Sequence, residues 1–279
     1  MDAGGVGRLA LSHPLTALDR RAPWYGHLHA LAVACTAAVP VLALNAVGRD
    51  RGLSNAAGLR LRFVPADDAG TAAYEAHIAA TGRVPTRSAG AGALHDLFNA
   101  LVWLTLPATK AALNARQAQE IARAGVGAVR GAVRDACTLI DESGLVLACA
   151  DTETYGAVKQ ALATRDWLGL FVEQRAQWHA RIAPVVIGHA LLEKLARPYK
   201  GISAQVIVLD CHGGHGDLLH VDRRAADFVQ RADLATSVLA PLPVLGIPGW
   251  CPDNEERAFY ADSRVFRPRP VQRSPIVSA

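Results

Sequence analysis

The stretch from His95 to Asn114, HDLFNALVWLTLPATKAALN, constrains this chain more than any other. It sets a histidine, an aspartate, two asparagines, a tryptophan and a lysine into an otherwise apolar run. As a helix it gains an apolar stripe from Leu94, Phe98, Leu101, Val102 and Leu104, and Pro107 ends that helix and opens the next. His95 and Asn99 are four apart and Asp96 and Asn99 three, so the three polar groups share a narrow arc. A polar group buried without a partner costs roughly 1–3 kcal/mol. These side chains therefore form either a packed network or a site.

The rest of the chain supplies a core for such a segment to enter. Its 279 residues suffice for one large domain or two small ones, and 51% are hydrophobic against 19% charged. A net charge of +4 gives no footprint of a dedicated nucleic-acid binder. The basic run Arg264 to Arg273 is Pro-rich and reads as a solvated tail. The five cysteines, Cys35, Cys137, Cys149, Cys211 and Cys251, contain no CxxC and read as reduced thiols of a cytoplasmic protein. The apolar run Ala30 to Leu44, broken by Pro40, is short of the roughly 20 residues a membrane span needs.

Taken in order, residues 1–22 read as a flexible N-terminal arm and 269–279 as a flexible tail. Residues 23–268 read as one globular domain. Trp24 to Ala38 reads as a helix, Val41 to Ala46 as a buried segment, and Leu59 to Val64 as a strand by its Leu-Arg-Leu-Arg alternation. Thr71 to Ala80 is expected to be a short helix, and a Gly-rich helix is expected over 126–135. Cys137 to Ile140 and Leu145 to Ala148, joined by Asp-Glu-Ser-Gly, predict a hairpin. Asp151 to Trp178 reads as short helices. Ala183 to Arg197 predicts a helix with Pro184 in its first turn, Ala204 to Leu209 a buried strand, and Arg223 to Leu239 an amphipathic helix. The fold class expected is α+β, a predominantly helical single domain with a small, mostly antiparallel sheet.

Several blocks resemble one family. They are Tyr74-Glu75, Val84-Pro85-Thr86-Arg87, HDLFNALVWLTLP with Lys110 and Asn114, and Asp141-Glu142-Ser143-Gly144. GHALLEK (Gly188 to Lys194), PLPVLGIPGWCPDN (Pro241 to Asn254), Phe259-Tyr260 and the Arg264-to-Pro268 ending follow in order. Together they resemble the DUF3025 family of uncharacterised proteobacterial proteins, over about residues 24 to 268. The resemblance implies no activity. The SAGAGA linker and the His212/His215 loop look particular to this chain.

Five constellations carry chemistry. His95 beside Asp96 and Asn99 can act as a base or hold a metal, or can serve only as helix-start polarity. His189 and Glu193 share a helix face and can ligate one metal, although the HExxH order is absent. Asp141 and Glu142 fit turn chemistry. The CHGGHGD loop, with Cys211, His212, His215 and Asp217, offers ligand types on an exposed, glycine-broken backbone. The Pro-flanked PGWCPDN segment is either a pocket wall or a strap over the core. No P-loop, GxSxG or dinucleotide fingerprint occurs.

These features favour an enzyme acting on a small molecule, with a polar pocket built by the His95 and His189 helices. Its catalytic candidates are His95, Asp96, Lys110 and His189. Its substrate-binding candidates are Arg87, Asn99, Trp103, Asn114, Trp250, Asp253 and Asn254. A divalent metal ion would sit on His95, Asp96, His189 and Glu193 and activate water for hydrolysis, with Lys110 stabilising developing negative charge. The alternative is a non-catalytic binding protein whose polar helices form a buried network.

Overall fold

A computed structural model of the chain describes residues 14–28, 30–37, 39–69, 73–125 and 131–268. Of the expected N-terminal arm, residues 14–22 are described and pack on the core. Leu15 is fully buried, and its carbonyl accepts from the Cys35 thiol at 3.2 Å. The expected tail, 269–279, lies outside the described residues.

Two helices, α1 (Leu31–Thr36) and α2 (Pro40–Asp50), come first. The first is shorter than the helix expected from Trp24, and the second takes in the buried segment expected at 41–46. Pro40, at the first helical position, opens α2 rather than merely stopping α1. Strand β1 (Arg62–Val64) pairs in parallel with β2 (Arg83–Pro85) around α3 (Tyr74–Thr81). Of the strand expected at 59–64 only Arg62–Val64 forms; the alternation holds from Arg60 to Phe63, with Leu61 and Phe63 buried and Arg60 and Arg62 exposed, but Leu59 is exposed.

The centre is α4 (Ala93–Thr105), in which every residue from Leu97 to Thr105 is buried. A helix that is apolar on all sides belongs inside a core. Pro107 then occupies the first position of α5 (Pro107–Ala124). The first N–H groups of α5 have no intrahelical partner. The Asp222 carboxylate accepts from Ala108 N at 2.9 Å and Thr109 N at 2.8 Å, fixing this helix end to α10 (Leu218–Val229).

Helix α6 (Ala132–Ser143) replaces the predicted hairpin. Val133, Ala136, Cys137 and Ile140 recur at helical spacing, and the last three are completely buried. Asp141-Glu142-Ser143 is thus the final helical turn, and Gly144 converts it directly into β3 (Gly144–Cys149). Any Cβ on Gly144 would lie 2.3 Å from the Ile140 carbonyl oxygen, so the sharp exit depends on glycine. The first part of the Gly-rich helix expected at 126–135 lies outside the described residues.

After α7 (Thr152–Thr164), a π-helical turn at Gly169–Glu173 and α8 (Arg175–Ala180), the chain forms β4 (Ile182–Val186) and α9 (His189–Lys194). The single helix predicted over 183–197 is therefore two elements. Val185, Val186 and Ile187 are β-branched, and β4 is an edge strand, where proline is tolerated. Strands β5 (Ser203–Asp210) and β6 (Ala240–Pro243) complete a four-stranded sheet of order β4-β3-β5-β6. The pairings β3–β4 and β5–β6 are antiparallel, whereas the central pairing β3–β5 is parallel. The sheet is thus mixed, and the small β1–β2 sheet is parallel. Every residue of β3 is buried, as its unbroken apolar run requires. Helix α10 starts five residues earlier than predicted, capped by Asp217 accepting from Leu219 N at 2.9 Å. It stops at Val229, well before the expected Leu239. The molecule is α+β and predominantly helical, and one cluster of buried residues runs from Leu15 to Phe266.

Candidate functional site

Two adjacent strands break at glycines on the same end of the sheet, and both breaks carry polar residues. Leu145 pairs with Val186, so the end of α6 (Asp141, Glu142) and the start of α9 (His189) are neighbours. Both Ile187 N and Gly188 N donate to Gly144 O at 2.9 Å, clamping the two joints together. A Cβ on Gly188 would meet Glu142 O, Gly144 N and Ser143 Cα, each at 2.6 Å. Helix α4 packs across α9 and brings its own histidine to the same place.

The His95 and His189 rings meet edge to face, with centroids 4.4 Å apart and Nε2 atoms 2.9 Å apart. Behind His95, Nδ1 lies 2.9 Å from Glu193 Oε2, an acceptor that favours a proton on Nδ1. Behind His189, Nδ1 faces Asp141 Oδ2 at 3.8 Å and has no hydrogen-bond partner. Glu142 Oε2 lies 3.8 Å from His189 Nε2. Among the described residues, His95, Glu142 and His189 form the one group of three whose ligand atoms all lie within 4.8 Å of one another.

Burial pushes the His189 imidazole down to about 4; Asp141 opposes this, while Lys110 and His95 add to it. His189 is therefore neutral at pH 7. Burial and the neighbouring Asp141 charge raise the Glu142 carboxyl. Burial is the largest influence on Asp141 and acts to raise it, but the charge and hydrogen bond of Lys110, with His189 and His95, together hold that carboxyl below the ordinary range. Lys110 Nζ donates to Asp141 Oδ1 and sits 5.5 Å from the Trp103 ring centroid.

Next to this cluster, Tyr74, Glu75, Arg134, Asp141 and Glu142 line a cavity of about 220 Å³. Burial, then the Asp141 charge, raises Glu75 to about 7, and Asn114 Nδ2 donates to its carboxylate. Asn99 Nδ2 donates to the Tyr74 hydroxyl at 2.8 Å. A larger cavity, about 730 Å³, lies elsewhere, between residues 51–55, the α4–α5 junction and Leu218-Leu219.

The structure thus brings together His95, His189, Glu193 and Lys110, with Asn99 and Asn114 one contact further out. It engages Asp96 elsewhere: Arg87 donates to it from Nε at 2.7 Å, Nη2 at 2.9 Å and its backbone N at 2.7 Å. Trp103 lies in the core. Trp250 packs edge-on against Trp24, with centroids 5.9 Å apart. Asn254 is fully buried and donates to Leu245 O and Ile247 O, fastening its own loop, while Asp253 is exposed. His212 is exposed beside Asp210.

Sequence reasoning places Glu142 in a turn and leaves Glu75 out of the site. The helical spacing of Val133 to Ile140 is a signal that puts Glu142 on a helix end, while its position opposite His189 comes from the pairing of β3 with β4.

The fold and cluster define an α+β protein with two histidines converging between carboxylates. The model of the DUF3025 family, described as a protein of unknown function, matches residues 61–270, and the chain belongs to that family. No curated protein and no solved structure matches it.

Proposed function

We propose that the chain is a metal-dependent hydrolase of small molecules, with one divalent transition metal held by His95, His189 and Glu142. The supporting observation is the convergence of the two Nε2 atoms. If His189 carries its proton on Nε2 and donates to His95, its buried Nδ1 lone pair faces the Asp141 carboxylate. If the proton is on Nδ1, toward Asp141, and His95 is neutral with its own proton toward Glu193, two lone pairs meet at 2.9 Å. A cation between the Nε2 atoms resolves the second arrangement. Both rings are then backed by carboxylates, Glu193 behind His95 and Asp141 behind His189, as metal-binding histidines commonly are. Two imidazoles and a carboxylate suit zinc and its neighbours.

Such a metal supplies a hydroxide near neutral pH. The cavity beside Glu142 would hold the substrate, with Glu75 available as a proton acceptor and Arg134 as a cation on its wall. Asp96 is not among the ligands here, because Arg87 occupies it. Lys110 keeps Asp141 ionised rather than meeting substrate. All five cysteines are free, and the described residues contain no helix long and apolar enough to cross a membrane. Free thiols fit a reducing compartment, and the enzyme is assigned to the cytoplasm.

A second reading rests on the number of closed pairs, Lys110–Asp141, Asn114–Glu75 and Asn99–Tyr74, which would also make a buried structural network. Elemental analysis of the purified protein after dialysis against zinc separates the two. The hydrolase predicts about one metal per chain, lost in both His95→Ala and His189→Ala. A metal-free wild type, or metal retained by both variants, leaves the network.

A further inference from the structure

At the end of the sheet that carries Gly144, but across it on β5 and β6, lies a cavity of about 290 Å³ lined by three arginines, Arg165, Arg264 and Arg267. Its other walls include Ser203 and the apolar surfaces of Trp167, Pro241 and Pro243, and among the described residues no carboxylate lines it. This cavity does not involve the histidine cluster, and its chemistry is independent of the hydrolase assignment.

The charge is poorly balanced from within. Arg264 Nε lies 3.3 Å from Asp262 Oδ1, but Asp262 also serves Lys200, whose Nζ is 3.7 Å from Oδ2. Neither Arg165 nor Arg267 makes an ion pair among the described residues, and both donate to backbone carbonyls. Arg165 Nη1 donates to Pro268 O at 3.3 Å, and Arg267 Nε to Arg264 O at 3.0 Å. Each guanidinium has five N–H donors, so most of this capacity is unspent on those contacts. Arg264 and Arg267 are exposed and Arg165 half-buried, so the three like charges sit at a solvent-open cavity where an anion is attracted by all of them.

A second observation points the same way. Arg165 follows the last residue of α7 with φ +54°, in the left-handed region that glycine or asparagine normally fills at a helix end. A non-glycine residue held there carries backbone strain, and such strain concentrates at binding sites. Here the strained residue is the one whose guanidinium lines the cavity. Trp167 completes the wall as an apolar surface, because its Nε1 already donates to Arg267 O at 2.9 Å.

We infer that this cavity binds a small phosphate monoester, its dianion held by Arg165, Arg264 and Arg267 and its organic part set against Trp167, Pro241 and Pro243. Guanidinium forks match phosphate oxygens in geometry, and three of them suit a dianion better than a single carboxylate. The volume is at the lower end of the range for ligand cavities, which suits one ring or a short chain.

The test is calorimetric titration of the purified chain with phenyl phosphate at constant ionic strength, beside inorganic phosphate, phenol and a 5′-phosphorylated oligonucleotide. Phenyl phosphate should bind one per chain, inorganic phosphate more weakly, and phenol not at all. Arg264→Gln should weaken binding at least about tenfold, the scale of one charge-assisted hydrogen bond. The Arg264 side chain is 90% exposed, so its loss leaves the core untouched. Arg165→Gly should weaken binding similarly while the melting temperature holds or rises, because glycine suits the left-handed backbone. A purely structural Arg165 would instead lose stability with no change in binding. No binding of phenyl phosphate, or unchanged affinity in both variants, overturns the inference. Tighter binding of the oligonucleotide overturns the small-molecule assignment.

Discussion

Glu75→Gln isolates the electrostatics of the cavity beside the histidine cluster. In the native fold, burial and the Asp141 charge raise the Glu75 carboxyl from 4.5 to about 7. A carboxyl raised by folding binds its proton more tightly in the folded than in the unfolded chain. Stability therefore falls as pH rises from about 4.5 to about 7, and levels off above. At 1.36 kcal/mol per unit the whole span is about 3 kcal/mol. Glutamine has no proton to lose and can still accept from Asn114. The stability of the variant minus that of wild type should then rise by about 1–3 kcal/mol between pH 4.5 and pH 8, the lower figure if water screens the partly buried carboxyl. Asp141 is shifted the other way, below 3.8, so its contribution is lost only as pH falls below that range. Urea denaturation of both proteins at half-unit steps reads the difference directly. A difference flat across that window would refute the idea that Glu75 is held protonated by its surroundings.

Two other substitutions probe the frame of the site. Lys110→Met leaves the buried Asp141 carboxylate without its ammonium and should cost about 3–5 kcal/mol in urea denaturation. Adding Asp141→Leu should recover much of that loss, and no recovery would show that the pair is not the source of the effect. Gly188→Ala places a methyl 2.6 Å from three atoms of the α6–β3 joint. It should cost about 1–3 kcal/mol by overpacking and lower zinc affinity by displacing His189; an unchanged melting temperature would contradict the close approach.

How much of this is legible in the sequence depends on whether the signal is local. The buried run Leu97 to Thr105 of α4 and its Pro107 boundary are readable, because a long apolar run with a proline break has few other solutions. So are β5 and the alternation at Leu61 and Phe63. The joint at 141–144 misleads, since Asp-Glu-Ser-Gly serves a hairpin turn and a helix end equally well. Only the spacing of Ala136, Cys137 and Ile140 distinguishes them. Pro184 suggests a helix start, yet an edge strand tolerates proline just as readily. In the site, His95 and His189 can be named from sequence, but their meeting depends on tertiary packing of α4 on α9. The strong local signal of Asp96 beside His95 points inward, whereas the structure turns Asp96 outward to Arg87. Glu142 and Glu75 give no comparable sequence signal, because their environment comes from elements far apart in the chain.

The carbonyl of Gly144 accepts from both Ile187 and Gly188. It therefore sets the register between the two halves of the cluster. Changes in loop length elsewhere leave that spacing alone, whereas one residue inserted within β3 or β4 slides one half past the other by a full strand step, about 3.3 Å. The two short strands thus act as a fixed ruler for the cluster, and the outer loops do not enter that measure.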